Sequence, residues 1–223
     1  MEKSVKLIEN FVSWQGEGPD SGQAMIILRF KSCNLRCPWC DTAVKMRISA
    51  EAPHSLSDIQ KTVYERNAGL LITGGEPTVD RHFKEALMLL NELDYPIANV
   101  ESNGYNLIQL YKQTHPSKKV RFIYSPKIFK GSDVDTAKEI TSEIMMYPNI
   151  FIKAVYEPTN GRLIEYLEWL SEKVGIEHAR RVWLMPEGVT RSDLIRNAEG
   201  VFDACEKYKF NFSSRSHIIF GFV

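Results

Sequence analysis

The sequence predicts an α/β protein, an open partial (βα) barrel of about six parallel strands, on three observations. Short β-branched runs alternate with longer segments of helical period. Such alternation implies parallel strands joined by crossover helices, and about six of them fall short of the eight that close a barrel. Polar or Gly/Pro-containing loops follow five of the strands, at 33–42, 74–77, 102–104, 125–127 and 186–188, which collects them on the rim where such folds bind ligands.

In chain order, the apolar runs 24–30, 70–73, 97–101, 120–124, 150–155 and 182–185 read as strands. The amphipathic segments 55–66, 81–93, 107–114, 134–146, 163–174 and 192–208 read as helices, with Ser57 as the cap candidate of the first. A further short strand leads from Glu9 into a Gly-rich loop ending at Gly18. No internal repeat appears, and Gly and Pro are scattered singly rather than pooled into a linker. With 43% of its 223 residues hydrophobic, the chain supports one well-buried core, so a single domain over 1–223 is expected.

Lys and Arg number 28, as do Asp and Glu, so no global field attracts nucleic acid or an anionic membrane. A small-molecule substrate suits that neutrality better. No apolar run approaches the roughly 20 residues of a membrane span, and the amino terminus lacks a signal peptide's apolar stretch, so a cytoplasmic protein is expected. Three of the four cysteines fall between Cys33 and Cys40, which in a reducing compartment reads as metal binding rather than as a disulfide framework.

Cys33, Cys37 and Cys40 follow a C-x3-C-x2-C spacing with no fourth cysteine or histidine close by. Three thiolates on one short loop hold three irons of a 4Fe-4S cubane and leave the fourth open to a ligand. The competing reading, structural zinc, wants four closed ligands. The spare cysteine, Cys205, lies in a helical segment and reads as a buried core thiol. Thr73-Gly74-Gly75-Glu76-Pro77 comes directly after a strand. Paired glycines let a backbone approach a ligand closely, and Glu76 can accept from an ammonium, although the tetrapeptide alone is equally a turn.

The cysteine spacing resembles that of the radical S-adenosylmethionine superfamily. The resemblance implies a cluster on Cys33, Cys37 and Cys40, an aromatic against adenine at Trp39 with Asp41 beside it, and a clamp on the methionine amino group at Gly75 and Glu76. Outside that shared core, Trp14-Gln15-Gly16-Glu17-Gly18 is similar to the opening of the 7-carboxy-7-deazaguanine synthases, where it binds a pterin. A carboxylate such as Glu17 suits a 2-amino-pyrimidinone edge because it accepts paired hydrogen bonds.

Within that family the resemblance implies Mg2+ on Thr42, near the substrate carboxylate. It assigns Ser102, Asn103, Ser125, Pro126 and Lys127 to the ribose and carboxylate of S-adenosylmethionine, and Met185, Pro186, Glu187 and Gly188 to a cofactor-side loop. Thr73, His217 and the carboxylate of Val223 become substrate contacts, and Arg29 a partner for the substrate carboxylate. An arginine in so apolar a strand needs a partner in any case. Read without the resemblance, Thr42 is a cap or turn residue and the short loops are turns.

The resemblance also implies the reaction: 6-carboxy-5,6,7,8-tetrahydropterin becomes 7-carboxy-7-deazaguanine with loss of ammonia, S-adenosylmethionine acting as cofactor. It implies a homodimer and an electron donor such as flavodoxin or ferredoxin. Two rivals share the cysteines: a glycyl-radical activating enzyme with a protein substrate, and a non-enzymatic module that docks through a metal site. Gln15, Glu17, Arg29, Thr42 and His217 would have no task in the first, and cofactor cleavage separates the second.

Overall fold

The structure, a computed structural model, describes residues 2–222, apart from the side chains of Ile176 and Glu177. The chain is α/β with mostly parallel strands and divides into two compact units, residues 2–15 with 22–123, and residues 16–21 with 124–222. No helix among the described residues is long and apolar enough to cross a membrane.

The first unit contains, in order, β1 (Ser4–Leu7), β2 (Glu9–Trp14), β3 (Ala24–Phe30), α1 (Ala43–Ile48), β4 (Ala52–Ser55), α2 (Leu56–Arg66), β5 (Gly69–Gly74), α3 (Asp80–Glu92), β6 (Ala98–Ser102), α4 (Leu107–Gln113) and β7 (Val120–Tyr124), whose last residue falls in the second unit. Its sheet runs β7-β6-β5-β3-β2, with β3, β5 and β6 parallel. β3 is buried over most of its length, which explains its nearly unbroken apolar run. α2 buries Leu56, Ile59 and Val63, and α3 buries Ala86, Leu89 and Leu90.

Two features depart from the all-parallel expectation. β2 pairs antiparallel with β3, Glu9 opposite Arg29 and Trp14 opposite Ala24, because the loop between them reverses the chain without a crossover. β1 and β4 form a separate antiparallel pair, and Pro53 is tolerated there because β4 has a single neighbour. The α2 cap is Ser55 rather than Ser57: the Asp58 amide donates to Ser55 Oγ at 3.1 Å, and Ser55 Oγ donates back to Asp58 Oδ2 at 2.7 Å. Asp58, at the third helical position, thus both donates to and accepts from the Ser55 side chain, which leaves the Ser57 hydroxyl to donate to Glu2.

The second unit contains a 3-10 turn (Gly18–Asp20), α5 (Val134–Ile144), β8 (Ile150–Tyr156), α6 (Gly161–Lys173), α7 (Ile176–Ala179), β9 (Val182–Pro186), α8 (Arg191–Tyr208), β10 (Asn211–Phe212) and α9 (Ser216–Phe220). β8, β9 and β10 are parallel neighbours, with Lys153 opposite Trp183 and Asn211 opposite Trp183 on its other side. Caps at Asp133, Asn160 and Thr190 start its three long helices.

Candidate functional site

In the first unit the cysteine loop follows β3, and its start is pinned by the end of β5. The Gly75 amide donates to the Phe30 carbonyl at 2.9 Å and the Glu76 amide to the Ser32 carbonyl at 2.7 Å. This proximity explains the paired glycines. A Cβ at Gly74 would lie 2.2 Å from the Phe30 oxygen, and one at Gly75 would lie 2.2 Å from the Ser32 oxygen. Gly74 also has φ +132°, a conformation closed to other residues. The close approach predicted for a ligand is therefore, on this side, an approach of the chain to itself.

Glu76 is likewise turned inward. Its side chain is 1% exposed, and Oε1 accepts from the Thr78 amide (3.0 Å), Thr78 Oγ1 (2.7 Å) and Ser102 Oγ (2.8 Å), while Oε2 accepts from the Asn103 amide (2.5 Å). Burial raises its carboxyl above the ordinary range, and these four hydrogen bonds oppose that shift without cancelling it. A carboxylate this deep needs donors from its surroundings, so the role its geometry gives it is to tie the loop after β5 to the loop after β6. Ser102 and Asn103, expected at the cofactor, are the other half of that tie. Asn103 Nδ2 also donates to Asn34 Oδ1 at 2.8 Å and points at Cys33 Sγ at 3.9 Å.

Cys33, Cys37 and Cys40 form no disulfide, and each is half-buried. The Leu35 amide lies 3.3 Å from Cys33 Sγ and the Thr42 hydroxyl 3.5 Å from Cys40 Sγ, polar neighbours of the kind that favour a thiolate ligand. Among the described residues, no three His, Cys, Asp or Glu side chains gather where they could hold a single metal ion. A 4Fe-4S cubane makes a different demand, one thiolate on each of three irons, and three thiols on a loop anchored at Phe30, Ser32 and Asn34 fit it. Trp39 is half-buried on the same loop and Asp41 is exposed. Thr42 starts α1, where its side chain makes no capping bond. Cys205 is buried in α8, its thiol pushed up to about 11 by burial, as befits a core residue.

Arg29 has the partner its apolar strand called for. Its Nε donates to Glu9 Oε2 at 2.5 Å, and Lys45 Nζ takes Glu9 Oε1 at 2.5 Å. Burial would raise the Glu9 carboxyl, but the hydrogen bonds and charges of Lys45 and Arg29 outweigh it and hold the carboxyl low. The three charges leave one positive charge in surplus at the end of β3. Thr73 is Arg29's parallel neighbour on β5. Gln15 is 3% exposed and donates from Nε2 to Asn99 Oδ1 at 3.1 Å, while Trp14 is 50% exposed.

In the second unit Glu17 is the centre of a buried ionic cluster. Lys153 Nζ reaches Glu17 Oε2 at 2.6 Å, and Arg215 Nε reaches Oε1 at 2.9 Å. His217 Nε2 lies 3.8 Å from Oε1. Burial alone would raise the Glu17 carboxyl, but the charges of Lys153 and Arg215, with His217, outweigh it and hold the group ionised well below the usual carboxylate range. The tail is laid directly on the loop. The Ser216 amide donates to the Gly16 carbonyl at 2.9 Å, the Gly18 amide donates to Ser213 Oγ at 2.9 Å, and Arg215 Nη1 donates to the Gly188 carbonyl at 2.6 Å. Glu17 and His217, predicted together from opposite ends of the sequence, are thus neighbours.

Also in this unit, Ser125 and Pro126 are buried behind β7, and Lys127 Nζ donates to Ser125 Oγ at 2.8 Å. Met185 and Pro186 end β9, the Glu187 carbonyl accepts from Asn197 Nδ2 at 2.8 Å, and Gly188 has φ +147° with Asp193 close behind its Cα. Val223 lies outside the described residues. Lys153 was not foreseen, although it carried the same signal as Arg29, a lone charge in an apolar strand.

No family model matches the chain. A protein from Hyperthermus butylicus named 7-carboxy-7-deazaguanine synthase is 27% identical over 226 residues, spanning 96% of this chain and 92% of that one. Proteins of the same name from Haemophilus influenzae and Neisseria meningitidis serogroup B are 26% identical over 184 residues (77% and 85% of the two chains) and 36% identical over 141 residues (60% and 61%). The crystal structure of QueE from Escherichia coli matches the fold with a TM-score of 0.58 at 18% identity, covering 94% of this chain and 92% of that chain. The chain, with its three-thiol loop and the glycine pair that anchors it, is thus similar to proteins named 7-carboxy-7-deazaguanine synthase, to one of them along nearly its whole length.

Proposed function

We propose that this protein converts 6-carboxy-5,6,7,8-tetrahydropterin to 7-carboxy-7-deazaguanine with loss of ammonia. The observation that carries the reading is Glu17, a buried carboxylate kept ionised by Lys153 and Arg215 beside His217, on the loop that resembles the pterin-binding element. An ionised carboxylate accepts the paired donors of a 2-amino-pyrimidinone edge, and a protonated one does not.

Cys33, Cys37 and Cys40 would hold the 4Fe-4S cluster, which when bound supplies the electron that cleaves S-adenosylmethionine and so starts hydrogen abstraction from C6 of the pterin. Trp39, Asp41 and the backbone at Gly75 are assigned to S-adenosylmethionine, together with the loops at Ser125–Lys127 and Met185–Gly188. Arg29, with a surplus positive charge beside it, is assigned the substrate carboxylate. The work of these residues is to position reactants and exclude water. The family resemblance also supports a homodimer and a donor such as flavodoxin or ferredoxin.

The test is anaerobic: reconstituted protein, dithionite, S-adenosylmethionine, MgCl2 and carboxytetrahydropterin should yield 7-carboxy-7-deazaguanine by mass spectrometry. Glu17→Gln and His217→Ala are expected to lose most of that product at low substrate while retaining cluster and cofactor binding. Equal loss of S-adenosylmethionine binding in calorimetry would move both residues out of the pterin pocket.

Magnesium is assigned to Thr42, whose hydroxyl is not used to cap α1. A neutral hydroxyl adds little affinity for a hard cation, so the ion should bind tightly only with the substrate carboxylate present. Thr42→Ala should slow turnover and flatten the response to MgCl2 without changing iron content, and Thr42→Ser should keep most of the response. Identical magnesium titrations for Thr42→Ala and the unaltered protein would falsify the assignment.

A further inference from the structure

We propose that Lys153 is a positioning residue of the substrate site, holding Glu17 from β8 as a charged acceptor of fixed orientation for the two-donor edge of the ring. The proposal rests on the reading of Glu17 as the pterin contact. Lys153 is the one charged residue of β8, with its side chain 4% exposed, at a strand position where an aliphatic residue would pack without desolvating a charge. A buried ion pair is weak evidence of a stabilising role, since apolar replacements of both partners are often neutral or better. Its effect here falls on Glu17.

Lys153 and Arg215 grip different oxygens of that carboxylate, at 2.6 and 2.9 Å. The group can neither rotate nor take up a proton without giving up one of these contacts. Arg215 is itself held by the Gly188 carbonyl, so the carboxylate hangs between a strand and the tail. A second observation points to a ligand on the same face. Trp183 is Lys153's register partner on β9, and parallel neighbours in register project to one side of a sheet. Its indole Nε1 is buried and has no hydrogen-bond partner among the described residues. A buried donor left this way is costly, and an acceptor brought by a ligand removes that cost.

The test compares Lys153→Met, which keeps the stem and removes the charge, with Lys153→Arg, which restores a cation, and with Glu17→Gln. Cluster content and S-adenosylmethionine binding serve as folding controls. Lys153→Met should raise KM for carboxytetrahydropterin roughly thirtyfold or more, as loss of one member of a buried charge pair does at binding sites, with a much smaller change in kcat. Lys153→Arg should recover most of it. An unchanged KM in Lys153→Met beside a raised KM in Glu17→Gln overturns the role of Lys153 alone, and an unchanged KM in Glu17→Gln overturns the reading beneath it. Should Lys153→Met fail to fold, the double variant Glu17→Gln/Lys153→Met decides: a KM equal to that of Glu17→Gln supports the proposal, and multiplied effects refute it.

Discussion

Replacing Cys33, Cys37 or Cys40 singly by alanine is expected to abolish the brown chromophore and the cleavage of S-adenosylmethionine, whereas Cys205→Ala leaves both in place. The three thiols stand on one loop whose start is tied to β5 through the Phe30 and Ser32 carbonyls and to the loop after β6 through Asn34. A cubane held by three thiolates has no spare protein ligand, so each deletion opens a second iron. Cys205 is far from that chemistry in character as well as in sequence. It lies buried in α8 with its sulfur 3.4 Å from the Asn211 carbonyl, and burial pushes its thiol up to about 11, so it offers no thiolate at neutral pH. Iron and sulfide content with the visible spectrum read the outcome. Loss of iron in Cys205→Ala, or its retention in any of the other three, would show the ligand set to be wrong.

Gly16→Ala is expected to disable substrate turnover as severely as loss of Glu17 itself, while sparing the cluster. A Cβ at Gly16 would lie 2.0 Å from His217 Nδ1, 2.7 Å from its Cγ and 2.7 Å from its backbone nitrogen. A ring can rotate away, but a backbone nitrogen cannot, so the tail must lift. Lifting it breaks the Ser216 amide to Gly16 carbonyl bond and carries Arg215 and His217 away from Glu17. Overpacking of this kind costs about 1–3 kcal/mol, which for a chain of this size lowers Tm by roughly 2–12 °C. The expected result is a Tm reduced within that span, normal iron content and cofactor binding, and product formation down by on the order of a hundredfold or more, the scale of a misplaced binding group. Near-normal turnover in Gly16→Ala would mean that the packing of the tail on this loop does not shape the substrate site.

Much of the chain was legible in advance for local reasons. The six strands and six long helices lie within a residue or two of their expected bounds, because period and capping act over neighbours in sequence. The shortest pieces, β1, β4, α7, β10 and α9, escaped notice, being too brief for periodicity to show. The helix α1 escaped for another reason: it buries nothing, so it has no apolar stripe to read. Among site residues, a lone charge in an apolar strand was enough to mark Arg29, and the same rule applied to Lys153 would have marked it too.

By itself the sequence determined the chemistry the protein can carry: the cysteine spacing, the glycine pair, and the Glu17 and His217 elements at its two ends are short patterns that keep their meaning in any conformation. Tertiary structure alone decided how those patterns are used. It gave Glu17 partners 136 and 198 residues away in Lys153 and Arg215, and it placed the tail where only a glycine at position 16 fits. It also turned Gly74, Gly75 and Glu76 toward the chain's own backbone and hydroxyls. The physical reason is common to all three. Burial makes a charge demand a partner and a close contact demand a missing Cβ, but which residue answers depends on distances set when remote segments pack together.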